Sequence, residues 1–310
     1  MRENQLRLVL GRRQFTLGLG AAGLVTALGG RAAAAKKDVY GGIKIGYAAI
    51  TWGDDKVHQA ITDIAATGYT GIQLRRNITK DWKTPDELKA ELGKAKLTFA
   101  CLSGGGPSAD PAKRAEEVQK FLEPVKFAKD AGALFVQATS PNRGDRPTVE
   151  KAELEAFADT LTAIGKETAK LGVPLVFHPH MNQIGEKPED VAVIMKKADP
   201  KAVKLLLDVG HWAAAGGDPI AAVKQYGKRI AVLHIKDVTD QEPSATSKNK
   251  YKFVELGQGK VDFQGVFQAL KGVGFKGWAI VELDSVPKER NPKDAAAANK
   301  TFIEELGAKV

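Results

Sequence analysis

A closed (β/α)8 barrel of class α/β, in a single domain, is the fold this sequence predicts, and three observations predict it. From Gly41 onward a short β-branched or apolar run, a loop, an amphipathic stretch and a glycine recur in that order. Such runs alternating with helical periodicity imply parallel strands joined by crossover helices. Roughly eight units in about 270 residues is also the usual size of the barrel. An open doubly wound sheet would begin on a strand–GxGxxG–helix unit, which is absent here; Ser103 to Pro107 (SGGGP) is only a flexible loop.

The strand-like runs are 43–49, 71–75, 97–102, 133–138, 173–178, 203–208, 230–235 and 278–283. Helical patterns occupy 57–67, 85–94, 112–130, 149–170, 188–197, 219–226, 263–271 and 293–306. Helix starts are marked by Thr84-Pro85, Asp110-Pro111, Lys187-Pro188 and Asp218-Pro219, because proline suits the first turn. Helix ends are marked by Gly68, Gly132, Gly172 and Gly272. Pro124 falls inside a helical pattern and is expected to kink or split it. The polar stretch 239–252 follows the seventh run and reads as a mobile lid on the catalytic face.

Ahead of the barrel, residues 1–35 read as an export signal and 36–42 as a linker. Arg12-Arg13-Gln14-Phe15 precedes an uncharged stretch, 16–30, and Ala32 to Ala35 offer small residues for cleavage. Paired arginines before a weakly apolar segment resemble a twin-arginine signal, with Gly11 in place of the usual Ser or Thr. The expected partner is the twin-arginine export machinery, and the expected location is periplasmic or secreted. The apolar part is too short and glycine-rich for a stable membrane span. That route implies folding, and metal loading, before export. The lone Cys101 excludes an intramolecular disulfide, and a lipid anchor lacks its cysteine.

Of the formal charge of +9, residues 1–35 supply +4 through five arginines and Glu3. The remaining lysines are scattered, so no nucleic-acid groove is expected. Assembly into a homo-oligomer is compatible with the sequence.

Four runs end in metal-type ligands. The fifth ends in His178, followed by Pro179-His180; the sixth ends in Asp208; the seventh contains His234 and the eighth Glu282. An isolated Asp after a strand is more often a helix N-cap, and an isolated strand histidine is more often a hydrogen-bonded core residue. Here four of only five histidines fall at these rims, His58 being assigned to the surface. Alternation puts His178 on the face of Val176, His234 on that of Val232 and Glu282 on that of Ile280. Strands five to eight neighbour one another in a closed barrel, so the four groups can converge. Two imidazoles and two carboxylates suit a divalent metal ion, Mn2+, Co2+, Fe2+ or Zn2+, better than Ca2+.

The motifs HPHMNQ, LLLDVGHW, VLHIKD, LGQGKVDF and GWAIVELD resemble the sugar phosphate isomerase/epimerase superfamily of xylose isomerase-like TIM barrels, and within it the inosose dehydratase branch. The resemblance runs from Ile43 to the C-terminus. It implies metal ligation by Asp208, His234 and Glu282, with His211 beside the substrate. Where many epimerases carry a metal-binding Glu after the fifth strand, this chain has His178-Pro179-His180, and Gln73 stands where the second strand often has Glu. The pair of carboxylates that moves a proton between sugar faces is therefore broken, which favours a dehydratase.

The implied chemistry is enolate-type β-elimination of water from a keto-sugar or keto-inositol, or of an alcohol from a keto-glycoside. His180 or Glu282 is the expected base. His211 or Lys236 is expected to assist the departing oxygen. Trp52 and Trp212 are expected to offer stacking faces, Gln137 and Asp237 to contact the carbohydrate substrate or orient Lys236. The turn 257–260 (GQGK) lies where some barrels hold phosphate, but reads rather as a backbone feature. An isomerase or epimerase, or a sugar-binding barrel without turnover, are the alternatives.

Overall fold

The computed structural model describes residues 38–244 and 247–310, and within them the eight predicted runs close into a ring. The export signal and the first two residues of the linker lie outside the described residues. The barrel strands are β1 (Lys44–Ala48), β2 (Gly71–Arg75), β3 (Thr98–Ser103), β4 (Phe135–Ala138), β5 (Leu175–Phe177), β6 (Val203–Asp208), β7 (Ile230–Ile235) and β10 (Trp278–Val281). All pair in parallel, in the order β1-β10-β7-β6-β5-β4-β3-β2 around the ring. A parallel ring puts every strand's C-terminal end on one rim, which is why ligands spaced tens of residues apart meet there.

The covering helices are α1 (Val57–Thr67), α2 (Pro85–Ala95), α3 (Arg114–Asp130), α4 (Lys151–Lys170), α5 (Pro188–Lys197), α6 (Val209–Ala214), α7 (Pro219–Tyr226), α8 (Phe263–Gly272) and α9 (Pro292–Glu305). Thr84 and Glu87 close a capping box at the start of α2, with Pro85 in the first turn. Asp218 and Asn291 cap α7 and α9 in the same manner, by accepting a backbone amide. Gly68, Gly132 and Gly172 take the left-handed conformation their helix ends require. Gly272 does not: it is the last residue of α8, and Gly274 makes the left-handed turn. Pro124 does not split α3, which runs unbroken past it.

Two apolar layers result. The larger lies between strands and helices; the smaller fills the barrel with Ala48, Ala100, Cys101, Val176, Leu206, Val232, Trp278 and Ile280. Trp278 needs Gly71 beside it, since a Cβ there would sit 2.2 Å from the indole. As the first residue of β10 it lies toward the end of the barrel opposite the rim.

The stretch expected to be a mobile lid is rooted at both ends in a short ribbon. β8 (Asp237–Asp240) pairs antiparallel with β9 (Tyr251–Val254), Asp237 opposite Val254 and Asp240 opposite Tyr251. Asp237, fully buried, fastens this ribbon. Its carboxylate accepts the amides of Val238 (2.8 Å), Gly257 (2.9 Å), Gly259 (2.8 Å) and Val261 (3.2 Å). A Cβ on Gly259 would lie 2.2 Å from that carboxylate, so only glycine fits the turn. Asp237 thus neither orients Lys236 nor reaches a substrate. The turn's amides are spent on it, and its charge sits where a phosphate would. No helix among the described residues is long and apolar enough to cross a membrane.

Candidate metal and substrate site

Asp208 ends β6 directly opposite His234 in the register with β7. One oxygen, Oδ1, accepts the amide of His211 at 2.9 Å and so caps α6. The other, Oδ2, lies 3.5 Å from His178 Nε2 and 3.4 Å from His234 Nδ1. His234 Nδ1 is also 3.5 Å from Glu282 Oε2. These separations are long for hydrogen bonds. His178 Nε2, Asp208 Oδ2 and His234 Nδ1 are all buried and have no hydrogen-bond partner. Desolvated polar atoms without partners are costly, and three of them facing one another mark a place prepared for a further positive centre. The donor set, two imidazole nitrogens and two carboxylate oxygens, fits a divalent cation.

Gln73 on β2 sets the tautomer of His234. Its Nε2 donates to Glu282 Oε2 at 3.3 Å, which leaves its Oε1 to accept from His234 Nε2 at 2.9 Å. His234 therefore carries its proton on Nε2 and presents a lone pair at Nδ1 toward Asp208 and Glu282. His211 is held between two donors. The Met181 amide, which can only donate, gives a 3.2 Å hydrogen bond to its Nδ1. Its Nε2 faces the donor-only ammonium of Lys236 at 3.3 Å and lies 4.0 Å from Asp208 Oδ2. His211 also stands close enough to ligate with His178 and Asp208.

Lys236 follows His234 by two residues, so it projects to the same face. It is completely buried, 3.0 Å from Glu282 Oε1 and 2.5 Å from Asp284 Oδ1, with the Phe253 ring 4.2 Å above its ammonium. Burial disfavours its charge, but Glu282 and Asp284 outweigh burial and raise its pKa above the ordinary lysine value. Burial also opposes ionisation of Glu282, yet His234 and Lys236 prevail and pull it down to about 2. Asp208 likewise stays well below the usual carboxylate range, against its burial, because of the imidazoles and Lys236 around it. Burial lowers His178 to about 4, so it is neutral and able to donate a lone pair. His211 is lowered too, by burial and then by Lys236.

His180 stands on the loop above. Its Nδ1 donates to Met181 O at 2.8 Å, which leaves a lone pair on Nε2, and its ring lies 3.8 Å from that of His211. The loop is pinned by buried Glu186, which accepts the Asn182 amide at 2.6 Å and pairs with Arg143 at 2.7 Å.

A family model for the xylose isomerase-like TIM barrel matches residues 61–306. The chain belongs to that family. Among curated family relatives, the inosose dehydratase of Geobacillus thermodenitrificans is 25% identical over 288 residues, covering 85% of this chain and 97% of that enzyme. Two solved structures share the fold. The IolI protein with a bound zinc atom has a TM-score of 0.69 at 23% identity, covering 85% of this chain and 98% of that one. The Escherichia coli 3-keto-D-glucoside 4-epimerase YcjR has a TM-score of 0.68 at 15% identity, covering 85% and 99%.

Within this xylose isomerase-like barrel, His178, Asp208, His234, Glu282, His211 and Lys236 come together on one rim. Trp52 and Trp212 do not join them. Each is only 5% exposed; Trp52 donates to Asp63 at 3.0 Å, and Trp212 lies edge-on to Tyr226. Both belong to the apolar layer outside the barrel, with no free face for a sugar. Gln137 is buried on β4, donating to Ser103 Oγ at 2.9 Å, with its Oε1 unpaired. The sequence reading overlooked Asp284 and Phe253. Both carry a period-two signal: Asp284 follows Glu282 by two residues, and Tyr251, Phe253 alternate with lysine and valine.

Proposed function

We propose that this chain is a metal-dependent carbohydrate lyase that eliminates water, or an alcohol, β to a ketone of a keto-inositol, keto-sugar or keto-glycoside. The observation that carries the reading is the set of partnerless buried atoms His178 Nε2, Asp208 Oδ2 and His234 Nδ1, gathered beside Glu282. These four side chains would hold Mn2+, Co2+, Fe2+ or Zn2+. When bound, such an ion supplies Lewis acidity to a ketone oxygen and so acidifies the neighbouring C–H.

The protein's own groups do the rest. His180, with its free Nε2 facing the groove, is the base. Glu282 is a poor one, because both its oxygens accept hydrogen bonds and its pKa is held down to about 2. As His180 takes the proton from carbon, the carbon–carbon double bond forms and the β carbon–oxygen bond breaks. The same imidazolium then gives its proton to the departing oxygen, which leaves as water or alcohol, and the ring returns to neutral. His211 borders the substrate position, its ring against those of His180 and Phe253. Lys236 is not the acid; its retained charge fixes Glu282 and Asp284. The names of the inosose dehydratase relatives support elimination over isomerisation.

The test is incubation of metal-loaded protein with a panel of keto-sugars and a keto-inositol in deuterated water. Enone absorbance, lost by about a hundredfold or more in His180→Ala, is the expected result. Deuterium exchange with the oxygen retained would replace elimination by isomerisation, and no change in any substrate would sink both.

Residues 1–35 further support export by the twin-arginine route, through Arg12-Arg13 and the apolar stretch behind them. Fractionation of cells producing the Arg12→Lys, Arg13→Lys variant checks this: precursor should accumulate in the cytoplasm. An unchanged distribution would remove the export assignment.

A further inference from the structure

Above the polar cluster lies a cavity of about 650 Å3, lined in part by His180, Asn182, Asn249, Tyr251, Phe253 and Asp284. Its inner end is continuous with the site. His180 stacks on His211, Phe253 lies 4.6 Å from the His211 ring and 4.2 Å from Lys236 Nζ, and Asp284 grips Lys236. Its outer end is different in character. Tyr251, two residues from Phe253 on the same face of β9, extends the aromatic surface outward, ring centroids 5.3 Å apart. The Asn182 amide holds the Tyr251 hydroxyl at 3.1 Å. Gln241, Ser247 and Asn249 add polar groups on the ribbon side, and Ser285 to Pro287 form part of the wall.

Pockets of roughly 300–1,000 Å3 enclose ligands of drug size, larger than one sugar ring. A monosaccharide over the cluster would leave Tyr251 and the amides beyond it uncovered. Half-buried aromatic faces flanked by neutral amides and hydroxyls match a carbohydrate's C–H face and its hydroxyl edge. Among the described residues the groove is lined by a single lysine, Lys252, and no arginine, which does not suit a phosphate or nucleotide.

We propose that this groove is an outer subsite for a second ring, so that the substrate class is a glycoside rather than a free monosaccharide. The keto-bearing ring lies at the inner end, below His180, and the ring attached through the glycosidic oxygen stacks on Tyr251. The choice among substrates rests on the lyase reading, but the presence of the subsite does not.

Calorimetric titration of the zinc-loaded full chain with glucose, cellobiose, maltose and phenyl β-glucoside separates the two. None of these carries a ketone, so binding is read without turnover. At least one two-ring ligand should bind about tenfold more tightly than glucose, and Tyr251→Ala should shrink that ratio to below about threefold. Tyr251→Phe, which keeps the ring and drops the bond to Asn182, should retain most of it and guards against a folding artefact. Equal affinity for one and two rings, no binding by any of the four, or a ratio unmoved by Tyr251→Ala would each overturn the subsite. A two-ring preference without enone formation from any keto-sugar would instead leave the subsite standing and remove the lyase.

Discussion

Asp208 divides its carboxylate between a backbone and a cluster. Oδ1 accepts the His211 amide at 2.9 Å, while Oδ2 faces His178 and His234 without a hydrogen bond to either. The helix cap and the metal-type ligand, rival explanations for an Asp at the end of a strand, are two halves of one side chain.

That division yields the first prediction. Asn is as good an N-cap as Asp, so Asp208→Asn should keep α6 and the fold but lose the anionic ligand. Circular dichroism should be unchanged while metal content, measured by mass spectrometry, falls by about tenfold or more. Full occupancy would take Asp208 out of the coordination shell.

Gln73 fixes the tautomer of His234 and steadies Glu282. Groups that orient a ligating histidine typically matter by about 10–100-fold in metal affinity. Gln73→Leu should weaken zinc binding by that order in a chelator competition. An unchanged affinity would show that the imidazole is oriented by packing alone.

Acid should destabilise the metal-free protein before it denatures ordinary barrels. His178 is held to about 4 in the fold against 6.5 unfolded. Below 6.5 the unfolded chain therefore binds a proton that the folded one refuses, and stability falls as pH drops toward 4. Burial pushes His211 the same way. Asp208 and Glu282, both depressed, add losses only as pH falls below the ordinary carboxylate range. From His178 alone the loss between neutral pH and pH 4 is about 3 kcal/mol. Urea midpoints at pH 7 and pH 4.5 check it; a midpoint that holds or rises on acidification would contradict the neutral, desolvated imidazole.

Asp237→Ala should strip four backbone amides of their acceptor. Each buried donor left unsatisfied costs about 1–3 kcal/mol where water cannot replace the partner. Limited proteolysis should then cut within 239–252 at a rate at least about tenfold above wild type. Uncut ribbon in a folded variant would mean that β8–β9 pairing suffices.

The frame of the molecule was written in local periodicity. The bounds of β2, β6, β7, α1, α5 and α7 follow from run length, a proline at the start or a glycine at the end. The rim ligands were legible because a side chain's direction on a strand is fixed by parity, so His234 and Lys236 had to share a face. What parity cannot supply is the neighbour. Trp52 and Trp212 sit just past strand ends like true site residues, but Asp63 and Tyr226, distant or unremarkable in sequence, draw them into the outer layer. Asp237 reads as a site acid until the amides of a turn twenty residues on close round it. Phe253 was hidden by its polar surroundings, although its alternation with Tyr251 was there to be counted. Pro124 failed to break α3 because packing of a long helix outweighs one lost bond.

Among the described residues the β8–β9 ribbon, threaded between two barrel strands, forms a sheet of its own that does not pair with the ring; its own carboxylate staple holds it from within. Changes of length or composition at its tip therefore leave the cation-binding floor untouched. Selection can retailor what this catalyst accepts by editing one removable awning, without renegotiating the chemistry beneath it.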